Sequence, residues 1–176
     1  MSDLLLDVSQ MREANARVER TFPPDVLEVD ARIFRIAGPV RLGFTVHKDR
    51  QQYRLVGRLQ TVLELECSRC VVDYPLPVDE PFDLLYLPHA EAKADGEVEI
   101  EDDDLATAYY RDQEIDLGQL IVEQLFMAAP MKPLCSEGCR GLCVMCGTNL
   151  NTGACTCAPT WEDPRLAVLR GLKKDM

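Results

Sequence analysis

Six of the eight cysteines in this 176-residue chain lie between Cys135 and Cys157, in CSEGCRGLCVMCGTNLNTGACTC. The other two, Cys67 and Cys70, form a CSRC pair far upstream. Thiolates in CxxC pairs are zinc ligands above all, because zinc takes four soft donors in a tetrahedron and a short loop can aim two sulfurs at one centre. Eight cysteines therefore suit two four-thiolate sites. Cys143-Val-Met-Cys146-Gly147 has the form of a zinc knuckle, in which the glycine permits the tight backbone that turns amides toward sulfur. With Cys155 and Cys157, just past the polar turn TNLNTGA, it can close one small site locally. Cys135 and Cys139 then remain for Cys67 and Cys70, and that set would tie distant parts of the chain together, where loop closure matters most. The spacing also allows Cys135/Cys139 to change places with Cys155/Cys157.

Four thiolates leave a zinc ion no position for a catalytic water, so both sites read as structural. An iron–sulfur cluster accepts the same ligands. A dithiol redox role for Cys67 and Cys70 fits less well, because the pair does not open a helix in a βαβ unit. The N-terminus MSDLLLDVSQ reads as no secretory signal and no window is apolar enough for a membrane span, so the expected compartment is the reducing cytoplasm, where cysteine pairs seldom persist as disulfides.

The elements that must position these cysteines can be read in order. A short apolar run at Leu4–Leu6 suggests a strand, and MREANARVERTF a helix or an ordered arm bearing Arg12, Arg17 and Arg20. Pro23-Pro24 ends whatever precedes it. Between Val26 and Leu87 short alternating segments (VLEVDA, RIFRIAG, VRLGFTVHKD, QYRLVGRLQTVLELECSRC, FDLLYLP) predict an antiparallel meander with one buried face. Gly38-Pro39, HKDRQQ and Pro75 to Pro81 are its expected turns. Leu59, Val62, Leu63 and Leu65 break strict alternation, which suggests a bulge near Thr61. CSRC ends the longest strand.

Residues 90–104, with eight acids and one lysine, predict a solvated acidic loop. Asp102, Asp103 and Asp104 make a poor cation site, since consecutive residues in a flexible run are not preorganised. Tyr109–Ile115 suggests a further strand. Asp116 can cap a helix over about 116–128 whose stripe Leu117, Leu120, Ile121, Leu125 and Phe126 packs on the sheet. Pro130 and Pro133 end it. After Cys157, APTWEDPRLAVLRGLKKDM predicts a short helix capped by Asp163 or Thr160, with Trp161 as a packing anchor. The fold class is α+β: a β-meander core with one main helix, residues 1–134, and a zinc-ribbon-like cysteine module with a terminal helix, residues 135–176, joined through Cys67 and Cys70.

The net charge is −11, concentrated in the middle of the chain, so bulk counterion release offers no affinity for nucleic acid. His47, in a charged turn, and His89, after Pro88 at the edge of the acidic loop, read as surface residues. No nucleophile elbow, phosphate loop or dinucleotide fingerprint is present. The pattern is that of a non-enzymatic protein without a small-molecule substrate.

Taken together, LELECSRC, the acidic middle, QLIVEQLFMAAPMKPLC and GLCVMCGTNLNTGACTC followed by DPRLAVL resemble the bacterial YceD family, the large ribosomal RNA subunit accumulation proteins. The resemblance covers most of the chain. It implies a part in accumulation of 23S rRNA, hence in biogenesis of the large ribosomal subunit, and supplies no catalytic mechanism. On that footing the expected partner is precursor 23S rRNA or a large-subunit ribosomal protein. Arg32, Arg35, Arg41, Arg54 and Arg58, with the zinc region, are candidate RNA-facing groups, although alternate residues of a strand face opposite sides. The rival is a zinc-stabilised adaptor that contacts only protein, with the acidic loop meeting a basic ribosomal protein.

Overall fold

The computed structural model describes residues 4–9, 11, 14–89 and 106–157. The expected acidic loop (90–104) and terminal helix with Trp161 lie outside these residues. Within them the fold is α+β, as expected. In chain order the strands are β1 (Leu5–Asp7), β2 (Asn15–Phe22), β3 (Arg35–Ile36), β4 (Val40–Asp49), β5 (Gln52–Glu66), β6 (Asp73–Pro88), β7 (Thr107–Tyr110) and β8 (Glu114–Asp116), followed by helix α1 (Leu117–Ala128). One sheet has the order β2-β4-β5-β6-β7, with β3 beside the far end of β5, and β1 pairs with β8 separately.

The long strands β5 and β6 form the spine, and their hairpin carries Cys67 and Cys70 at its tip. β5 alternates without interruption: Tyr53, Leu55, Leu59, Thr61, Leu63 and Leu65 all point inward. There is no bulge at Thr61. Its side chain faces the core and its hydroxyl donates to the Gly38 carbonyl at 3.2 Å. The break in pattern belongs to the neighbour instead, since β4 pairs with β5 as far as Gln60 and β3 takes over at Leu63. Inward residues of β4 (Leu42, Phe44, Val46) and α1 (Leu117, Leu120, Ile121, Leu125) complete the core. Each such burial contributes roughly 1.5–3 kcal/mol. Asp116 caps α1, its Oδ1 accepting from the Gln119 amide at 3.0 Å. Phe126, expected in the stripe, is 42% exposed but sets its ring edge against Phe34 at 5.2 Å.

Several expectations are corrected. Residues 15–22, expected as a helix or an ordered arm, form a strand, because Ala16, Val18 and Phe22 register against Val46, Phe44 and Val40 of β4. Val26–Ala31 is not a strand; Pro24–Val26 is a 3-10 turn and Asp30 accepts from the Arg32 amide at 3.0 Å in the next turn. Pro75, Pro77 and Pro81 lie inside β6, not in turns. They share one parity, so their missing N–H groups fall on one side of the strand, and among the described residues β6 pairs along that stretch only with β5. The meander is not wholly antiparallel: β7 pairs in parallel with β6, and the residues between Pro88 and Thr107 supply the length a parallel crossover needs. The chain from Thr107 to Asp116 is two strands, parted by a turn in which Asp112 and Gln113 have φ of 50° and 62°.

Candidate metal centres

β5 delivers Cys67 at its end, and the chain then turns sharply into β6. The Val71 amide donates to the Cys67 carbonyl at 2.9 Å, and the Cys67 amide to the Val72 carbonyl at 3.0 Å. The turn forces Val71 to a φ of 57°, a left-handed conformation unusual for a β-branched residue. From the other direction, the end of α1 leads through Pro133 to Cys135 and Cys139. Two contacts dock that segment. The Ser68 amide donates to the Pro133 carbonyl at 2.9 Å, and the Arg69 guanidinium donates to the Cys139 and Glu137 carbonyls at 2.8 and 3.3 Å.

The sulfurs of Cys67, Cys70, Cys135 and Cys139 consequently all lie within 4.8 Å of one another. Cys67–Cys139 and Cys70–Cys135 are 3.8 and 3.6 Å apart. A tetrahedral zinc with Zn–S bonds of about 2.3 Å requires sulfur–sulfur edges of about 3.8 Å, so the donor set fits the ion. Cys67, Cys70 and Cys139 are buried and Cys135 forms the outer rim. Tyr74, Leu134 and Leu142 pack around them.

The second cluster repeats the turn. The Gly147 amide donates to the Cys143 carbonyl at 2.9 Å and the Cys143 amide to the Thr148 carbonyl at 2.8 Å, with Gly147 at a φ of 73°. The sulfurs of Cys143, Cys146, Cys155 and Cys157 again all fall within 4.8 Å of one another. Here Cys146 and Cys157 are exposed. Regular strands are absent from this segment among the described residues; a single antiparallel bridge joins Leu142 to Asn149. A strand-built zinc ribbon is thus not what the structure shows.

Electrostatics divides each cluster in a similar way. At Cys67 burial opposes ionisation, but the amides of Cys135, Arg69 and Cys70 aimed at the sulfur outweigh it and bring the thiol down to about 6. Cys70 is pushed up to about 12 by burial and by its bond to Cys67. In the second cluster the Thr148 hydroxyl and amide draw Cys146 down to about 6, while the neighbouring Cys146 sulfur, with burial, pushes Cys157 up to about 12. Four thiolates so close together repel one another, and a divalent cation removes that conflict. With four sulfurs bound, a tetrahedral ion has no open position.

The five arginines do not form one cationic face. Arg32 pairs with Asp30 at 2.6 Å in a turn. Arg35 bridges Glu64 and Asp73 at 2.8 and 2.9 Å. Arg54 forks onto Asp83 at 2.6 Å, and Arg58 meets Asp79 at 3.3 Å. Arg41, Arg54 and Arg58 do share the outer sheet face, on β4 and β5. Among the described residues no carboxylate pairs with Arg41. It borders a groove of about 510 Å³ on that face, over the side-chain-free Gly43, with Arg17, Arg20 and Arg58 also on its walls. His47 contacts Asn15 and His89 contacts Arg111, both at the surface.

Three residues that contact the cysteine clusters escape sequence reading. Arg69 lies inside CSRC, yet its role depends on the Cys139 segment arriving beside it. Thr148 and Asn151 stand in the polar turn, where nothing local distinguishes them from solvated loop residues. Their hydrogen bonds reach Cys146 and Cys139 at 3.2 Å each.

The family model described as "Large ribosomal RNA subunit accumulation protein YceD" matches residues 55–173. The chain is 33% identical over 144 residues to a maize protein named "Large ribosomal RNA subunit accumulation protein YCED homolog 1, chloroplastic", covering 69% of this chain and 49% of that one. It is 27% identical over 160 residues to the Arabidopsis thaliana protein of the same name, covering 78% and 50% respectively. An uncharacterized protein of Mycobacterium leprae is 29% identical over 113 residues, covering 64% and 49%. The chain spans about half the length of these curated relatives. No solved structure matches it significantly. The chain belongs to the YceD family.

Proposed function

We propose, from the premise that this chain is a member of the YceD family, that it is a non-enzymatic factor of large-subunit biogenesis that binds precursor 23S rRNA and holds two structural zinc ions. The family's name, large ribosomal RNA subunit accumulation protein, supports a ribosome-related role. The observation that supports direct RNA contact is the groove on the outer sheet face. Among the described residues no carboxylate pairs with Arg41 there, and Gly43 leaves room for a backbone phosphate to approach the strands. Phosphate contacts of this kind position RNA without reading sequence. The first zinc ion holds the β5–β6 hairpin to the segment after α1, the second closes residues 143–157 on themselves, and neither takes part in chemistry. No helix among the described residues is long and apolar enough to cross a membrane; the thiolate sites suit a reducing compartment, and we place the protein in the cytoplasm.

A protein-only adaptor is the second reading. It is favoured by the carboxylates that occupy Arg35, Arg54 and Arg58, and by the exposed Val72, Val144 and Met145 beside the cysteine turns. Crosslinking in cells that express the chain, followed by sequencing of attached RNA, separates the two. RNA contact through the groove predicts enrichment of one region of the large-subunit precursor, lost in Arg41→Glu. Background RNA with co-purifying ribosomal proteins establishes the adaptor.

A further inference from the structure

Asn151 belongs to the loop between Cys146 and Cys155 of the second cluster, yet its side chain ends at the first. Its Oδ1 accepts from the Arg140 amide at 2.8 Å, and its Nδ2 donates to the Cys139 sulfur at 3.2 Å. The orientation of the amide is fixed by chemistry: a backbone N–H on one side requires the oxygen there, which leaves the NH₂ for a sulfur that, as a metal-bound thiolate, only accepts. The loop is strapped onto residues 140–143. The Leu150 amide donates to the Gly141 carbonyl at 2.9 Å, Leu142 bridges Asn149, and the Arg140 guanidinium donates to the Leu150 carbonyl. Within the loop, the Asn149 side chain accepts from the Asn151 amide at 2.9 Å. On the other side the Leu142 amide donates to the Arg69 carbonyl at 3.1 Å, inside the CSRC turn. Gly141, at a φ of 74°, lets the backbones approach: a Cβ there would come within 2.9 Å of the Arg69 oxygen.

We infer that Asn151 is a positioning residue for the first metal centre and couples the two: metal at the second cluster closes the 146–155 loop and thereby seats the Asn151 donor on Cys139. This rests on the reading of both clusters as metal sites. A loop of this length is costly to order when its ends are free, and four sulfurs on one ion fix both ends. An outer hydrogen bond to a ligating sulfur fixes its direction and balances its charge. Losing such a partner typically lowers metal affinity ~10–100-fold. Coupling in binding is reciprocal, so metal at the first centre must also favour metal at the second.

The test uses the full chain and two variants, one of them isosteric with asparagine. Asn151→Asp retains an oxygen for the Arg140 amide but has no donor for Cys139, whereas Asn151→Ala loses both bonds. Zinc is titrated against a chelator and each centre is followed by the NMR signal of bound cadmium-113. The inference predicts that Asn151→Asp weakens zinc at the first centre ~10–100-fold and moves its cadmium signal, with the second centre's signal in place. It also predicts that Cys155→Ser/Cys157→Ser, which empties the second centre, weakens the first. If Asn151→Ala weakens zinc and Asn151→Asp does not, Asn151 only holds the loop and the inference is wrong. First-centre affinity unchanged in Cys155→Ser/Cys157→Ser overturns the coupling. A native chain that binds fewer than two metal ions contradicts the metal reading itself, an outcome visible before any variant is made.

Discussion

The turns at Cys67–Val72 and Cys143–Thr148 are built with matching hydrogen bonds, the fifth residue's amide reaching back to the first cysteine's carbonyl and the first cysteine's amide to the sixth residue's carbonyl. Their surroundings differ. The first turn caps the longest hairpin of the sheet, and its partner cysteines come from beyond the helix. Three of its four cysteines are buried, with Tyr74, Leu134 and Leu142 against them. The second finds all its ligands within residues 143–157, two of them exposed. The same local device thus serves as a long-range tie in one place and as a local clasp in the other. The free energy of metal binding becomes folding energy for whatever a metal holds together, so metal at the two clusters should matter to different extents.

The largest contrast is expected from removing ligands pairwise. Cys67→Ser/Cys70→Ser should lose one zinc and lower the unfolding temperature by ~10–20 °C, the scale of several kcal/mol in a protein this size. Cys143→Ser/Cys146→Ser should also lose one zinc, yet move the transition by no more than ~5 °C and admit proteolysis within 141–157. Metal analysis with calorimetry checks both, and equal losses would break the distinction between tie and clasp.

Charge at the sulfurs gives a smaller test, in which the clusters should behave alike. In metal-free protein the Cys67 and Cys146 thiols lie at about 6, below their unfolded value. The stabilisation each contributes is therefore present above the unfolded thiol value and is lost as pH falls through about 6. Thiolate absorbance near 240 nm should show two groups vanishing over that window. Cys67→Ser and Cys146→Ser should each remove one.

Val71 and Gly147 hold the same left-handed position, at φ of 57° and 73°. Strain at such a residue is of order 1–3 kcal/mol, partly offset for glycine by its freer unfolded chain. Val71→Gly should raise the melting temperature by ~2–3 °C, while Gly147→Val should loosen the second metal. A destabilising Val71→Gly would show that the exposed valine contributes something the turn geometry does not reveal.

What could be read from sequence follows the range of the interaction. Asp116 and the buried stripe of α1 were legible because a cap and a helical period are local, as was the knuckle at Gly147. Asn15–Phe22 misled because its charges resemble a helical arm, and only the facing β4 residues make it a strand. Pro75, Pro77 and Pro81 read as turns, since nothing local says that among the described residues only β5 pairs with the strand there. The cysteine spacing allowed two groupings, and only the arrival of Pro133–Cys139 beside the CSRC turn brings one of them together in space. Asn151 and Arg69 act across that same junction. The acids that meet Arg35, Arg58 and Arg54, namely Glu64, Asp79 and Asp83, come from register that alternation alone does not reveal.

The central claim is the grouping of sulfurs, and proton–cadmium correlation in the cadmium-113-loaded chain tests it most directly. Two cadmium signals in the four-sulfur range are predicted, one correlated with the β-protons of Cys67, Cys70, Cys135 and Cys139 and the other with those of Cys143, Cys146, Cys155 and Cys157. Correlation of Cys155 or Cys157 with the cadmium bound by Cys67 and Cys70 would contradict the account.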